Sequence, residues 1–147
     1  MKRRFVVVDQ NAVSAEGHFK MYSSSVALAA HQAGHEVTVL WNKRFPLDTI
    51  AAPYQTALTF SFTEAEADAR GILPFGEGHF GYELERGLAP LGLESNDIVF
   101  VHTSHFVELV ELLEYLVGVL PDDRLPYFHI VLRYDPEIFR VFWIFSG

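Results

Sequence analysis

RFVVVDQNAVSAEGHFKMYSSSVALAAHQAGHEVTVLW, residues 4–41, decides the fold. It opens on RFVVVD, a β-branched apolar run ending in a carboxylate, which reads as a strand buried on both faces. After the loop QNAVSAEGH, Tyr22, Val26, Ala29, Ala30 and Ala33 recur at i, i+4, i+7, i+8 and i+11, the stripe of a helix resting on a core. Gly34 stands where a left-handed C-terminal cap belongs. EVTVLW (36–41) is then a second buried strand. A strand–helix–strand crossover of this kind is right-handed in about 98% of cases, and its two strands are parallel.

Outward from that unit the pattern continues. ALTFSF (57–62) reads as a third strand. Residues 65–78, rich in Glu, Ala and Gly, read as loop with a short helix. Residues 82–91 predict a helix ending near Gly92, although Gly87 and Pro90 count against it. DIVFVH (97–102) is a fourth strand. Phe106, Leu109, Val110, Leu113, Val117 and Leu120 follow at helical spacing, with Glu108, Glu111 and Glu114 expected on a solvated opposite face. Pro121-Asp122-Asp123 breaks that helix, and YFHIVL (127–132) is a fifth strand. Asp135-Pro136 resembles the start of another helix, with Asp as cap and Pro at the first helical position.

Strands alternating with helices of this length predict a three-layer, Rossmann-like α/β domain spanning residues 1–147. Its sheet is expected to be mostly parallel, of about five strands in the order 3-2-1-4-5, with helices on both faces. In such sheets ligands bind beyond the carboxyl ends of the strands, where strand order reverses. Here that is between strands one and four, so residues 10–18 and 103–105 should meet at the site.

Composition narrows the function. The 147 residues are half hydrophobic, with thirteen Phe, and at that size a domain buries roughly 68–70% of the surface its unfolded chain exposes. The net charge is −8, which repels phosphate backbones and argues against general nucleic-acid binding. No cysteine is present, which removes disulfides, thiolate zinc sites and Cys nucleophiles. No signal region and no run of the ~18 apolar residues of a membrane span is found. A cytoplasmic location is the expectation.

Few polar residues fall at the predicted crevice. Gly17 and His18 precede the first helix, whose N-terminus offers free N–H groups to a phosphate; the alternative is a turn glycine beside an exposed histidine. Neither GxGxxG nor GxxxxGK[ST] occurs, so an ordinary dinucleotide site or P-loop is not expected, and no motif asks for a resident cofactor or metal. His102 ends the fourth strand and is the candidate general base, or else a histidine satisfied by a backbone carbonyl. Thr103, Ser104 and His105 follow it, and Ser104 or Thr103 can equally serve as the cap of the next helix. Asp9 ends the first strand, where a carboxylate can hold a sugar hydroxyl, a ribose or Mg²⁺. Lys43, with Arg44, can meet a ligand phosphate or simply be solvated. His31 and His35 flank the end of the first helix, His79 lies in a glycine-rich loop, and His129 reads as structural. The absence of GxSxG argues against a serine hydrolase.

Residues 16–45 (EGHFKMYSSSVALAAHQAGHEVTVLWNKRF) resemble the opening of the N-terminal domain of GT-B-fold glycosyltransferases. A glycine-bearing loop there leads into the first helix, which turns through a G-H-E-V-T-V-like segment into strand two. Residues 96–116 (NDIVFVHTSHFVELVELLEYL) resemble the later family segment D-(I/V)-V-x-x-H and its helix. The likeness implies a glycosyltransferase half domain that contributes acceptor binding to sugar transfer from a nucleotide-sugar to a sugar or lipid acceptor. Gly17 would approach the donor, and His102 would sit near the acceptor or the transferred sugar. The second, donor-binding domain of such enzymes is not found here. The apolar tail IFRVFWIFSG (138–147) is expected to bury itself against a dimer partner, a further domain or its own sheet. The competing expectation is a non-enzymatic ligand-binding or oligomerisation module.

Overall fold

The computed structural model describes residues 2–14, 16–70, 75–104, 106–119 and 125–132, with backbone alone at 18–19, 68, 103–104, 106–107, 116–119 and 132. The sequence-derived helix start at Asp135-Pro136, the break at 121–123 and the tail 138–147 lie outside them.

Five strands, β1 (Arg4–Asp9), β2 (Glu36–Asn42), β3 (Gln55–Phe60), β4 (Ile98–Ser104) and β5 (Tyr127–Leu132), form one sheet in the order β3-β2-β1-β4-β5. All four pairings are parallel. The strand order reverses at β1, as residues 4–41 and the later alternation predict. The helices are α1 (His18–Gln32), α2 (Glu64–Arg70), α3 (Phe80–Leu88) and α4 (Phe106–Val119). No helix among the described residues is long and apolar enough to cross a membrane.

Two separate cores prove the three layers. Val7, Val37, Val39 and Trp41 point to one face and pack with Ala27 and Ala30 of α1. Val6, Val8, Leu40, Phe60, Val99 and Val101 point to the other and pack with Phe80, Leu84 and Leu88 of α3 and Leu112 of α4. Alternate residues of one strand therefore serve opposite layers, which is why β1 and β2 read as continuous apolar runs. Gly34 takes φ 91° and Gly92 φ 58°, so both helix ends predicted from glycine close through left-handed backbone.

Three details depart from the sequence pattern. β3 begins two residues earlier and stops at Phe60, because the Ser61 N–H bonds to the Glu83 carboxylate at 3.0 Å instead of joining the ladder. The buried seam of α1 is Ser23, Ala27 and Ala30, while Tyr22 and Ala29 are exposed. The small residues let the helix lie close to the sheet. The largest correction concerns α4. Glu108 and Glu111 are not solvated; they are 1% and 0% exposed, whereas Leu113 is 52% exposed and Glu114 alone of the three acids faces out. The helix is apolar on nearly every side, so hydrophobic spacing could not orient it. Polar partners do so instead: Glu111 accepts the Phe80 N–H at the start of α3 and pairs with Arg70 at 3.3 Å.

α3 and α4 approach closely at Gly81. A Cβ there would lie 2.4 Å from the Glu111 carbonyl oxygen and 2.8 Å from Tyr115 Cβ. Backbone cannot yield as a side-chain tip can. Gly81→Ala is expected to lower unfolding free energy by about 1–3 kcal/mol, the usual range for overpacking, in urea denaturation; an unchanged midpoint would show that the helices separate freely.

Candidate functional site

The carboxyl ends of β1 and β4 are adjacent, and α1 begins above them. Asp9 ends β1 fully buried. Its Oδ1 accepts the N–H groups of Asn11 (3.0 Å) and Ala12 (3.2 Å), which turns the chain out of the strand. Its Oδ2 accepts the Ser23 hydroxyl at 2.6 Å and lies 3.3 Å from His102 Nδ1. Ser23 Oγ is 3.1 Å from the same nitrogen. Asp9, Ser23 and His102 are 0%, 0% and 3% exposed, so β1, α1 and β4 are joined by one buried polar knot.

The bonding order fixes the roles. The single proton of Ser23 goes to Asp9, so both oxygens facing His102 Nδ1 act as acceptors. Nδ1 is therefore the donor in this arrangement. A carboxylate behind a histidine orients the ring for proton transfer at its far nitrogen. Above the knot, the Tyr22 ring stacks on His102 with centroids 4.2 Å apart and planes 12° apart. Phe100 continues the row, stacking with Tyr22 at 6.4 Å, with Phe5 at 6.4 Å and with His129 at 5.3 Å. His129 thus takes part in an aromatic row across β1, β4 and β5.

The other anticipated residues are distributed as follows. Gly17 is the N-cap of α1, with φ 108° and no side-chain cap, and the first turn carries no acid. Nothing lies within 4 Å of where its Cβ would be, so backbone conformation rather than space requires glycine. His18 opens α1, its side chain beyond the described atoms. Thr103 and Ser104, expected in a loop, are the last residues of β4, and His105 lies outside the described residues. Lys43 follows β2 and belongs to another group of side chains, with Nζ 3.2 Å from Ser61 Oγ and 3.6 Å from Glu83. Arg44 pairs with Glu66. Among the described residues no group of three or more His, Asp or Glu converges as a metal-holding set.

Two components escaped the sequence reading. Ser23 sits with Ala27 and Ala30 at i, i+4 and i+7, a seam as regular as the one chosen, but a serine does not register as apolar. Asn11 and Glu64 bond reciprocally, the Glu64 N–H to Asn11 Oδ1 at 2.7 Å and Asn11 Nδ2 to Glu64 Oε2 at 3.4 Å, tying the loop after β1 to α2. Nothing in the spacing of 53 residues announces that contact.

A second buried polar group lies where α2, α3 and α4 meet. His79, taken from sequence as a loop residue, is the fully buried N-cap of α3, and its Nδ1 accepts the Tyr82 N–H at 3.1 Å. Burial holds His79 below its ordinary 6.5, with the Arg70 charge adding to the effect and Glu114 and Glu83 opposing it. Burial pushes the Glu111 carboxyl above its ordinary 4.5, against the Phe80 N–H and the Arg70 charge.

Removing the Ser23 hydroxyl leaves the buried Asp9 carboxylate one donor short. Ser23→Ala is expected to cost about 1–3 kcal/mol in chemical denaturation; a loss within error would mean the knot is not a stabilising unit. For His79, the unfolded chain takes up a proton as pH falls through 6.5 while the folded chain does not, so this contribution to stability is lost on acidification. Glu111 acts oppositely: its contribution is present below 4.5 and is lost as pH rises through its raised folded value. His79→Asn keeps a good cap acceptor and isolates the first effect. Between about pH 7.5 and pH 5.5 the parent should lose more stability than His79→Asn; parallel pH profiles would refute the assignment.

No family model, curated protein or solved structure matches this chain, and the function must be argued from the site's own geometry.

Proposed function

We propose that this domain contributes acceptor binding to sugar transfer from a nucleotide-sugar donor, with most of the donor held by a second domain. The observation that carries this reading is the knot of Asp9, Ser23 and His102 at the point where strand order reverses. A histidine held from behind by a carboxylate suits removal of a proton from an acceptor hydroxyl. The Tyr22 ring, 40% exposed above it, offers a flat apolar surface to one face of a pyranose. The uncapped N-terminus of α1 at Gly17 suits a donor phosphate. The likeness of residues 16–45 and 96–116 to GT-B-fold glycosyltransferases points the same way.

Binding without transfer is the second reading, and burial favours it. His102 is 3% exposed beneath Tyr22, so proton transfer requires the tyrosine to shift, whereas a binding scaffold does not.

Isothermal titration of the full chain with UDP-glucose, GDP-mannose and simple methyl glycosides separates these. Under the transfer reading a glycoside binds, and His102→Ala weakens it by about tenfold, the value of a hydrogen bond to an imidazole. Glycoside binding that His102→Ala leaves intact supports the binding module. Failure of every saccharide and nucleotide-sugar to bind rejects the sugar-transfer reading.

A further inference from the structure

A second concavity opens between the outer edge of β3 and α3. Its volume is about 570 Å³, within the range of small-molecule sites. None of Asp9, Ser23 or His102 lines it. Gly87 and Thr59 form its floor: a Cβ on Gly87 would come within 2.9 Å of Thr59 Cγ2 and 3.0 Å of Leu40 Cδ1. The glycine therefore lets α3 settle against the sheet and shapes the cleft. Leu58, 43% exposed on the edge strand, and Pro90 supply apolar wall.

The polar lining is unequal in its hydrogen bonding. Glu83 is 6% exposed, and its carboxylate accepts both the Ser61 N–H at 3.0 Å and the Ser61 hydroxyl at 2.6 Å. It is satisfied, and it holds Lys43 Nζ 3.6 Å away. The Lys43 ammonium has three protons and, among the described residues, one bond of hydrogen-bond length, to Ser61 Oγ at 3.2 Å. Its approach to Glu77, 4.0 Å away and 83% exposed, is a solvated surface contact of little strength. Arg86 has five N–H donors, of which one meets Tyr82 OH at 3.0 Å, with the guanidinium 5.4 Å from the same ring. Two cations, one anchored by a buried carboxylate and one by an aromatic ring, thus line a single cleft with donors to spare. Such a pair calls for a ligand rich in acceptor oxygens carrying negative charge, and three phosphoryl oxygens match it best.

We propose that the cleft between β3 and α3 binds a phosphorylated small molecule. Its phosphoryl oxygens lie on Lys43 Nζ and the Arg86 guanidinium, and its carbon skeleton lies against Leu58, Pro90 and the Tyr82 ring. This site stands independently of the sugar-transfer reading, since the two share no residue.

The full chain would be titrated with glucose 6-phosphate, inorganic phosphate and glucose, followed by calorimetry and by backbone amide shifts of residues 57–61 and 82–87. Glucose 6-phosphate should bind most tightly, inorganic phosphate more weakly, and glucose not at all. Lys43→Ala and Arg86→Ala, both at exposed positions, should each weaken glucose 6-phosphate by at least about tenfold, as loss of a charge-assisted bond does. Lys43→Arg should retain most of the affinity. His102→Ala should leave it unchanged. The proposal is overturned if glucose binds as well as its phosphate, or if both alanine variants bind normally. It is equally overturned if His102→Ala abolishes binding, or if only vesicles of phosphatidylcholine with phosphatidic acid are bound and soluble phosphates are not.

Discussion

A single buried carboxylate organises the carboxyl-terminal edge of the central strands. Asp9 ends the central strand with no exposure to water, and a charge so placed is tolerable only when surrounded by donors. Two backbone N–H groups, a serine hydroxyl and an imidazole edge provide them. Each donor constrains a different element. The backbone pair sets the exit of the chain from β1, Ser23 ties α1 to the sheet, and His102 ties in the carboxyl-terminal part of β4. The arrangement of β1, α1 and β4 at the strand-order reversal is therefore held by one group's need for hydrogen bonds, not by packing alone.

The opposite face follows the same logic with different residues. α4 carries Glu108 and Glu111 into the interior, which hydrophobic burial by itself would oppose. Arg70 and the first N–H of α3 meet Glu111, and His79 caps the same helix beside them. Close contact at Gly81 then locks α3 against α4. These polar contacts choose one rotation for a helix whose surface is apolar almost all round. The consequence reaches the edge of the sheet, because the placement of α3 brings Glu83 to Ser61 and Lys43, and Arg86 to the cleft beside β3.

Two differently satisfied polar groups thus lie on one scaffold. At the centre, groups are buried and mutually satisfied, which favours a fixed orientation of His102 over ready access to it. At the β3 edge, the carboxylate is satisfied and the cations are not, which favours capture of an anion. The difference arises from position: the strand ends between β1 and β4 are covered by α1 and the Tyr22 ring, whereas among the described residues no strand pairs with the outer edge of β3.

The architecture was legible in residues 4–41 and in the alternation that follows, because unbroken β-branched runs have few ways to be buried and glycines at 34 and 92 mark helix ends by backbone conformation. The order 3-2-1-4-5, expected of a doubly wound alternation, is the one observed. Asp9 and His102 were legible as strand-end residues, but their partner Ser23 was not, since a buried serine looks like a surface one until something is placed opposite it. The orientation of α4, the reciprocal bond of Asn11 and Glu64, and the burial of His79 were equally hidden. Apart from His79, whose side chain bonds locally to the Tyr82 N–H, each depends on groups 14 to 93 residues apart in sequence meeting at hydrogen-bond distance, and periodicity within one segment carries no record of the segment it will face. Local pattern determined which residues are strand and helix; only tertiary contact decided which polar groups are buried, because partners from other elements offset their desolvation.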